Sequence, residues 1–382
     1  MAIDLRPSWA DEDIDAWRDT VIRFLEDELT PADEEARKRG HIESSFWKRA
    51  GELGMLCTDI PDELGGIGGD FRHEVVIQEE MARRGLYSLN TGVHSIAAHY
   101  FMNHGTPEQQ AEFLPRLVSG ELVGAIAMTE PNAGSDLQAI RTRAVRDGDS
   151  YVINGSKTFI SSGLLAGVVL VVAKTDPAAG AKGVSIFIVE TAKCPGYKVG
   201  QVLDKIGLKG QDTTELFFDD MRVPASALLG GVEGLGFKQL MGDLPYERTI
   251  IGVIAVAAME GALAATLEYT RDRQVFSKPL FEMQNTKFKL AEIAAQVKVA
   301  RTFIDHCIAL QVQGKLDTTT ASMAKLWCAE TQGRVVDECL QLFGGYGYTN
   351  EYLIGRMYTD ARVQRIYGGT SEIMKEVISR SL

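Results

Sequence analysis

The stretch Arg365-Ile366-Tyr367-Gly368-Gly369-Thr370-Ser371-Glu372 lies near the C-terminus and precedes an apolar segment that begins at Ile373. Two adjacent glycines let the backbone turn sharply and approach a flat ligand closely. The same residues also fit a simple turn before a last helix, with Thr370 or Ser371 as its N-cap. Because Gly-Gly turns are common, this stretch taken alone favours the simple turn.

The composition is that of an ordinary globular protein. The chain has 382 residues, of which 45% are hydrophobic and 24% are charged. This length allows two or three domains, each with its own core. The formal net charge of -12 argues against bulk nucleic-acid binding, which needs a positive field. We therefore expect no nucleic-acid partner, although locally placed Lys and Arg can still hold an anionic ligand.

Cysteine and histidine usage argues against disulfides and metal sites. The five cysteines are scattered without a Cys-x-x-Cys pair, and the six histidines form no His-Glu-x-x-His spacing. The N-terminus is acidic, with neither a basic start nor an apolar signal core. No apolar run approaches the ~20 residues of a membrane span. We expect a soluble, cytoplasmic protein with reduced thiols, no metal and no membrane span.

Hydrophobic periodicity divides the chain into three blocks. Residues 1–120 have apolar positions at three- and four-residue steps, beginning with one amphipathic helix over 8–40. Residues 121–232 contain short β-branched runs and two hairpin signals, Asp147-Gly148 and Asn154-Gly155. From 233 to 382 the helical period returns in long segments. The expected fold is α+β, with an N-terminal helical domain, a middle β domain and a C-terminal domain resembling a four-helix bundle.

The loop Met128-Thr129-Glu130-Pro131-Asn132-Ala133-Gly134-Ser135-Asp136 follows the first predicted strand. Thr129 and Ser135 offer hydroxyls, and the loop exposes several backbone N–H groups. Such a loop can hold a phosphate, or a ring with carbonyl and imide edges. A hydrogen-bonded β-turn explains the same residues equally well.

Two further segments have more than one explanation. Phe159, with Ser161 two residues later, can lie along a flat cofactor or be a core aromatic in a strand. In Arg273-Gln274-Val275-Phe276, the arginine has no nearby acidic partner and suits a phosphate. In isolation, a solvated or helix-capping arginine is the favoured explanation.

The segment Leu244-Pro245-Tyr246-Glu247-Arg248 opens a very apolar helix. Pro245 suits the first turn, where the helix dipole also favours Glu247. A carboxylate beside so apolar a face is partly desolvated, which raises its pKa. A raised pKa suits a general base near neutral pH. The residues alone leave both roles open.

Taken together, these segments resemble the acyl-CoA dehydrogenase family over essentially the whole chain. The specific motifs are Thr-Glu-Pro-x-Ala-Gly-Ser-Asp at 129–136, Arg-x-x-Phe at 273–276, Gln-Leu-Phe-Gly-Gly-Tyr-Gly at 341–347 and Ile-Tyr-Gly-Gly-Thr at 366–370. The resemblance implies the α–β–α order of domains. It also implies FAD-dependent dehydrogenation of a saturated acyl-CoA thioester to the trans-2-enoyl-CoA.

The resemblance also assigns residues to FAD. Matches to positions on the flavin side are Met128, Thr129, Ser135, Phe159 and Ser161, where many members have Trp and Thr at the last two. Matches to residues that reach FAD in a neighbouring subunit are Arg273, Phe276 and Gln284. Further FAD matches are Gln341, Gly345, Thr370 and Glu372, the last at a position where many members have Gln. A site shared between subunits implies an oligomer, and the family suggests a homotetramer.

The catalytic base departs from the commonest family pattern. Most members have Glu directly after the tyrosine, where this chain has Gly368. One subset, which includes long-chain and isovaleryl-type dehydrogenases, places Glu on the apolar helix instead, and Glu247 matches it. The combination of Glu247 with Gly368 looks closest to the long-chain branch of the family. By this resemblance Glu247 removes the α-proton, and flavin N5 takes the β-hydride.

Gly368 keeps the backbone N–H that the family uses to stabilise the thioester oxygen. Its small size predicts room for bulkier or branched acyl groups. Other matches to substrate positions are Ser135, Arg248, Tyr367 and Arg380. A surface salt bridge is the alternative role for each arginine, and core packing is the alternative for Tyr367. The resemblance further implies an electron-transfer flavoprotein as electron acceptor and a role in fatty-acid β-oxidation.

Three other functions stay open at this stage. The same desaturation can occur on an acyl group carried by an acyl carrier protein. The same fold can also support a flavin oxidase or monooxygenase. A non-catalytic FAD-binding homologue is the third, and the presence of Glu247 argues against it. The sequence does not give the length or branching of the acyl chain.

Overall fold

Six α-helices form the first block in the computed structural model, which describes residue 7 and residues 9–382. They are α1 (Glu12–Phe24), α2 (Thr30–Arg39), α3 (Ser45–Glu52), α4 (Phe71–Arg83), α5 (Thr91–His104) and α6 (Pro107–Val118). The single helix predicted over 8–40 is divided, because a π-helical turn spans Leu25–Leu29 between α1 and α2. This turn lies next to Pro31, whose ring has no N–H to donate to the preceding turn.

A seven-stranded sheet forms the middle block. Its strands are β1 (Gly124–Ala127), β2 (Arg143–Asp147), β3 (Ser150–Ser161), β4 (Val168–Lys174), β5 (Val184–Glu190), β6 (Tyr197–Val202) and β7 (Thr213–Pro224). Strands β1 and β4 are parallel, β5 is antiparallel to β4, and β2, β3, β7 and β6 form an antiparallel series. The parallel pair Arg143–Lys174 joins the two groups.

One of the two predicted hairpins is confirmed and the other is wrong. Gly148, with φ +59°, lies in the turn between β2 and β3. Asn154 and Gly155 instead lie inside β3, where its register against β7 shifts. A Cβ at Gly155 would lie 2.4 Å from the Thr142 Oγ1 atom. Glycine is therefore required here by a close approach within the sheet and not by a turn.

The last block consists of long helices around a small hairpin. Helix α7 (Gly236–Asp272) is followed by β8 (Gln274–Val275), β9 (Lys278–Pro279), α8 (Gln284–Val312), α9 (Thr318–Phe343), α10 (Leu353–Ala361) and α11 (Ser371–Ser379). The long helices agree with the predicted periodicity. However, α7 begins at Gly236, before the predicted start, and contains Pro245.

Helix α7 is the central helix of the fold. By length and composition it could cross a membrane, so the expectation that no apolar run approaches a span is wrong. Glu260 interrupts the apolar run in the sequence, but this carboxylate is buried and binds Arg301 at 2.7 Å. Within the fold, 72% of the most apolar 18-residue window is buried, as in the core helix of a globular domain.

A buried ion cluster joins the first and last blocks. Arg301 of α8 binds Glu79 of α4 at 2.5 Å and Glu260 of α7 at 2.7 Å. Arg18 of α1 also binds Glu79, at 3.0 Å. Apolar side chains of α4 pack into the same core as those of α7, α8 and α9. The N-terminal helices therefore form one body with the C-terminal helices and support the cavity described next.

Candidate active site

A cavity of ≈ 210 Å³ lies between α4, α5, α7, the β domain and the turn after Arg365. Its walls are largely apolar and include Met81, Ile96, Ile126, Ile250, Ile251 and Ile254. Seven residues that the sequence assigned to the site also line it, namely Met128, Thr129, Phe159, Ser161, Glu247, Tyr367 and Gly368. Residues from all three blocks of the chain thus meet in one place.

Glu247 presents a buried carboxylate to this cavity. The residue is 8% exposed, and its Oε1 accepts a hydrogen bond of 3.2 Å from the Tyr100 hydroxyl of α5. Burial, with a smaller contribution from the nearby Asp243, raises the pKa of Glu247 from 4.5 to about 7. The Tyr100 hydrogen bond acts in the opposite direction because it stabilises the carboxylate. A carboxyl group with this pKa can accept a proton near neutral pH.

Gly368 and Gly369 form a left-handed turn, with φ of +62° and +92°. The backbone N–H of Gly368 donates to no protein acceptor within the described residues, so it is available to a ligand. A Cβ at Gly368 would lie 2.4 Å from the Ile251 Cδ1 atom. The space predicted beside Gly368 is therefore occupied by Ile251. Room for a branched acyl group stays a prediction that depends on movement of this side chain.

The β domain contributes an exposed aromatic ring and two hydroxyl residues to the cavity. Phe159 is 67% exposed although it is large and apolar, and its φ of +57° is unusual for a residue with a side chain. Thr129 and Ser161 line the cavity with it. An exposed aromatic face with hydroxyls nearby fits a flat, polar-edged ring such as a flavin.

A buried ion pair holds the loop that begins at Met128. The ammonium group of Lys157 donates to the Met128 carbonyl at 2.9 Å and to Glu130 Oε1 at 2.8 Å. Burial lowers the pKa of Lys157 to about 8, and Glu130 opposes this shift. Glu130 also accepts from the backbone N–H groups of Arg141 and Thr142, at 2.6 and 3.0 Å. The start and end of the loop are therefore fixed by one buried pair.

A second group of predicted residues gathers at a different place. Arg273, Gln341 and Gly345 line a separate cavity of ≈ 480 Å³. Phe276 lies at the tip of the β8–β9 hairpin and is 92% exposed, and Gln284 begins α8 as an exposed residue. The structure thus separates these residues from the Glu247 cavity within one chain. A cofactor site built from two copies of the chain would bring these residues of one copy next to the Glu247 cavity of the other.

Five further predicted residues also lie outside the lining of the Glu247 cavity. Ser135 and Glu372 are exposed, and Thr370 caps α11 through a hydrogen bond from the Ile373 N–H. Arg248 is buried and donates to Ser322 at 3.0 Å. Arg380 is exposed and pairs with Glu376 at 3.1 Å, which is the surface salt bridge that the sequence offered as the alternative role.

Sequence reasoning missed two polar residues at the site. Tyr100 lies far from Glu247 in the chain, and nothing in its surrounding sequence indicates the contact. Lys325 is a fully buried lysine whose Nζ donates to the Gly369 carbonyl at 2.6 Å. The sequence did contain a signal for Lys325, because a lysine among the apolar neighbours Ala321, Ala324 and Leu326 is expected to be buried.

The site residues fit the cofactor that the motifs imply. The exposed Phe159 ring, the hydroxyls of Thr129 and Ser161, and the rigid loop of residues 128–136 can hold a flavin ring. The exposed Phe276 and the Arg273 guanidinium can contact the remaining part of FAD from another copy. Glu247 and the Gly368 N–H then remain for a ligand in the apolar part of the cavity.

Comparison with known proteins covers almost the whole chain. Family models match as acyl-CoA dehydrogenase N-terminal domain over residues 11–121, middle domain over 125–221 and C-terminal domain over 234–382. The chain is 45% identical over 371 residues to the mitochondrial long-chain specific acyl-CoA dehydrogenase of Rattus norvegicus, covering 96% of this chain and 86% of the relative.

Solved structures agree with these matches. An acyl-CoA dehydrogenase from Geobacillus kaustophilus is 44% identical with a TM-score of 0.95, covering 98% of this chain and 99% of that one. A glutaryl-CoA dehydrogenase from Mycobacterium smegmatis, in complex with FADH2, is 30% identical with a TM-score of 0.90, covering 97% of this chain and 95% of that one. With matches in all three domains, this chain belongs to the acyl-CoA dehydrogenase family.

Proposed function

We propose that Glu247 is the base of a FAD-dependent acyl-CoA dehydrogenase that converts a saturated acyl-CoA thioester to the trans-2-enoyl-CoA. The observation that carries this assignment is the meeting of Glu247, the Gly368 turn and the flavin-side residues in one apolar cavity. The desaturation needs a base on one side of the acyl chain and a hydride acceptor on the other. The relatives do not favour the carrier-protein, oxidase or monooxygenase alternatives.

FAD supplies the acceptor for the β-hydride when it is bound. The protein residues that would hold its ring are Met128, Thr129, Phe159 and Ser161, with further contacts proposed for Ser135, Thr370 and Glu372. The ion pair of Lys157 and Glu130 keeps the loop before Ser135 in place. The apolar walls exclude water from the reacting part of the acyl chain.

The protein residues of the site act on the removal of the α-proton of the substrate. With a pKa of about 7, part of the Glu247 population is ionised at neutral pH and can take the α-proton. Removal of that proton places negative charge on the thioester oxygen, where the free N–H of Gly368 can stabilise it. Tyr367 lines the same cavity, and its hydroxyl donates to Gln364 at 2.7 Å, which fixes its ring beside the proposed thioester position. We assign Arg248 and Arg380 to the mouth through which CoA enters.

We also propose that the working protein is a homotetramer. The support is the position of Arg273, Phe276 and Gln284, which lie apart from the Glu247 cavity of their own chain. Phe276 is 92% exposed, and a second copy that placed FAD against it would cover it. With Gln341 and Gly345, these residues would complete the cofactor site of a neighbouring subunit. Analytical ultracentrifugation of the FAD-loaded protein and of Phe276→Ala tests this assembly.

Three finer assignments follow from the resemblance of the motifs. We propose an electron-transfer flavoprotein as electron acceptor, fatty-acid β-oxidation as the pathway and the cytoplasm as the location. The five cysteines are free thiols, which suits a reducing compartment. Reoxidation of the reduced enzyme by a purified electron-transfer flavoprotein, compared with reoxidation by air, tests the first assignment.

The test of the base is anaerobic mixing with acyl-CoA thioesters of varied length and branching. The flavin absorbance should bleach in the wild type and rank the substrates. Glu247→Gln should bind the same thioesters but bleach slower by about 10³-fold or more, because general base catalysis is lost. Glu268→Gln is the matched control, since it changes an exposed Glu of the same helix.

Two results would contradict the assignment. Bleaching at the wild-type rate in Glu247→Gln would place the base elsewhere. A flavin-loaded wild type that no CoA thioester bleaches would exclude the proposed reaction on these substrates. In that case, acyl groups on a carrier protein become the next substrates to assay.

A further inference from the structure

Helix α9 holds the turn that carries Gly368. The Nζ of Lys325 donates to the Gly369 carbonyl at 2.6 Å. Further along α9, Glu330 accepts a hydrogen bond of 2.6 Å from the Ser371 hydroxyl. Gly369 and Ser371, which both follow Gly368 in the chain, are thus connected to one long helix. The position of the Gly368 N–H depends on this helix more than on the turn itself, because two glycines restrain the backbone weakly.

Lys325 is buried without a counter-ion. Its side chain is fully buried, and no carboxylate lies within ion-pair distance of its ammonium group in the described part of the chain. Lys157 is buried to the same extent but is paired with Glu130. A buried ammonium group that lacks a carboxylate partner lowers the stability of a fold. Groups of this kind are expected where function requires them.

A second cation lies beside the same turn. Arg248 is buried, and its Nη2 lies 3.9 Å from the position that a Cβ on Gly369 would take. It donates to Ser322, one helical turn before Lys325 on α9. Burial first, and then the charge of Arg248, lowers the pKa of Lys325 to about 8, while the charges of Glu330 and Glu372 oppose this shift, so the ammonium form is still present at neutral pH. Two positive charges therefore lie beside Gly369, the residue that follows Gly368.

We propose that Lys325 is a positioning residue for removal of the α-proton, because it fixes the Gly368 N–H through the Gly369 carbonyl and adds positive charge beside the thioester oxygen. This inference rests on the proposed function of the Glu247 cavity. In the step concerned, the α-proton passes from carbon to the Glu247 carboxylate. The electron pair of that C–H bond forms a carbon–carbon double bond, and the carbonyl π pair moves to oxygen. Lys325 acts on the charge that this oxygen gains.

The test uses an acyl-CoA analogue with sulfur in place of the β-carbon. This analogue can lose its α-proton but has no β-hydride to transfer, so it isolates the proton step. Its enolate is detected by the charge-transfer absorption that it forms with oxidised flavin. We would titrate this absorption with pH in the wild type, in Lys325→Met and in the control Lys315→Met, whose lysine is exposed on the α8–α9 turn.

Lys325→Met should raise the midpoint of this titration by about one pH unit or more, which is at least a tenfold loss of enolate at a given pH. The turnover number should fall by about tenfold or more, as for loss of part of an oxyanion site. The dissociation constant of the analogue should change by less than about threefold, because the ground-state contacts remain. Lys315→Met should leave all three quantities at their wild-type values.

Two further variants separate charge from hydrogen bonding. Lys325→Arg keeps the charge and should recover part of the shift in the midpoint. Lys325→Gln keeps an N–H donor without charge, and it replaces the methionine variant if that protein does not fold. If Lys325→Met and Lys325→Gln both fold and both titrate at the wild-type midpoint, the proposal is overturned. If only Lys325→Gln folds, a wild-type midpoint in that variant overturns it. If the wild-type enzyme binds the analogue but forms no enolate at any pH, the proposed function fails instead.

Discussion

The Tyr100 hydroxyl donates to Glu247 Oε1 over 3.2 Å and connects α5 to α7 at the wall of the cavity. The contact joins an N-terminal helix to a C-terminal helix across the whole β domain of the chain. It stabilises the carboxylate form of Glu247, in opposition to the larger effect of burial. Tyr100 therefore orients the carboxylate of the proposed base and lowers its proton affinity.

Replacing Tyr100 with Phe should move the acid limb of the pH–rate profile to higher pH. The hydrogen bond lowers the pKa of Glu247, so its loss raises that pKa above about 7. A shift of about one pH unit is expected, since a hydrogen bond to a charged group is worth ~1.5–3 kcal/mol. The measurement is kcat/KM against pH, because this quantity reports the free enzyme.

A limb that stays in place, or moves to lower pH, would show that Tyr100 does not stabilise the Glu247 carboxylate. Tyr87→Phe is a suitable control, because Tyr87 lines the same cavity and its hydroxyl has no hydrogen bond to Glu247.

Glu247→Gln should stabilise the fold at alkaline pH while it removes activity. The pKa of Glu247 rises from 4.5 to about 7 on folding, so its contribution to stability is fully present below about pH 4.5 and is lost as pH rises through 7. Near pH 8 the variant should be more stable by about 3.5 kcal/mol, at ~1.4 kcal/mol for each pKa unit. Urea unfolding at about pH 8 and about pH 5 measures the difference. The advantage of the variant should shrink at the lower pH, and equal stability at the higher pH would contradict a raised pKa.

Lys157→Met should weaken the binding of FAD. The ammonium group holds the Met128 carbonyl and Glu130, so its loss releases the loop proposed to contact the flavin. We expect the dissociation constant of FAD to rise by about tenfold or more, which is ~1.4 kcal/mol. Fluorescence titration of the apoprotein with FAD gives this value. Lys174→Met changes a lysine at the end of β4 in the same sheet and should bind FAD normally. Unchanged affinity in Lys157→Met would remove the loop from the list of flavin contacts.

Ile251→Ala should change the selectivity between straight and α-branched thioesters. Ile251 occupies the space beside Gly368, so the alanine variant opens that space to a branch. We expect kcat/KM for the α-branched substrate to rise relative to the straight one by about fivefold, or ~1 kcal/mol for the enlarged pocket. Gly368→Glu fills the same space and should lower the ratio of kcat/KM for the α-branched substrate to that for the straight one. It should also lower the stability by ~1–3 kcal/mol, because residue 368 has a left-handed backbone. If both variants keep the wild-type ratio, the space at residue 368 does not determine branching selectivity.

The sequence predicted most of the fold because the signals are local. Long periodic segments identified α7, α8 and α9, and the turn between β2 and β3 was identified from Asp-Gly. The Asn154-Gly155 prediction failed because the requirement for glycine comes from Thr142, which belongs to another segment. The apolar length of α7 was underestimated for the same kind of reason, since Glu260 is buried and paired with Arg301 on a different helix. The domain divisions at 120/121 and 232/233 stay predictions; they lie between α6 and β1 and between β7 and α7.

The candidate site was predictable where a motif supplied it. Glu247, Gly368, Phe159 and Ser161 come from short motifs, and the structure places all four in one cavity. Tyr100, Ile251 and Lys325 could not be assigned in this way, because their roles arise from the packing of α5, α7 and α9. The periodicity marks Lys325 as a charge among apolar neighbours, but its partner belongs to a distant segment that leaves no signal in α9.

The ion cluster around Arg301 affects how the protein folds during its synthesis on the ribosome. Glu79 is fully buried in the finished fold, where it binds Arg18 of its own block and Arg301 of α8. At ~5–20 residues per second, Arg301 is added many seconds after the first six helices have been made. Until then, Glu79 lacks its buried partner and the apolar face of α4 lacks α7 and α8. The N-terminal helices therefore bury Glu79 and the apolar face of α4 fully only after the last block of the chain has been made.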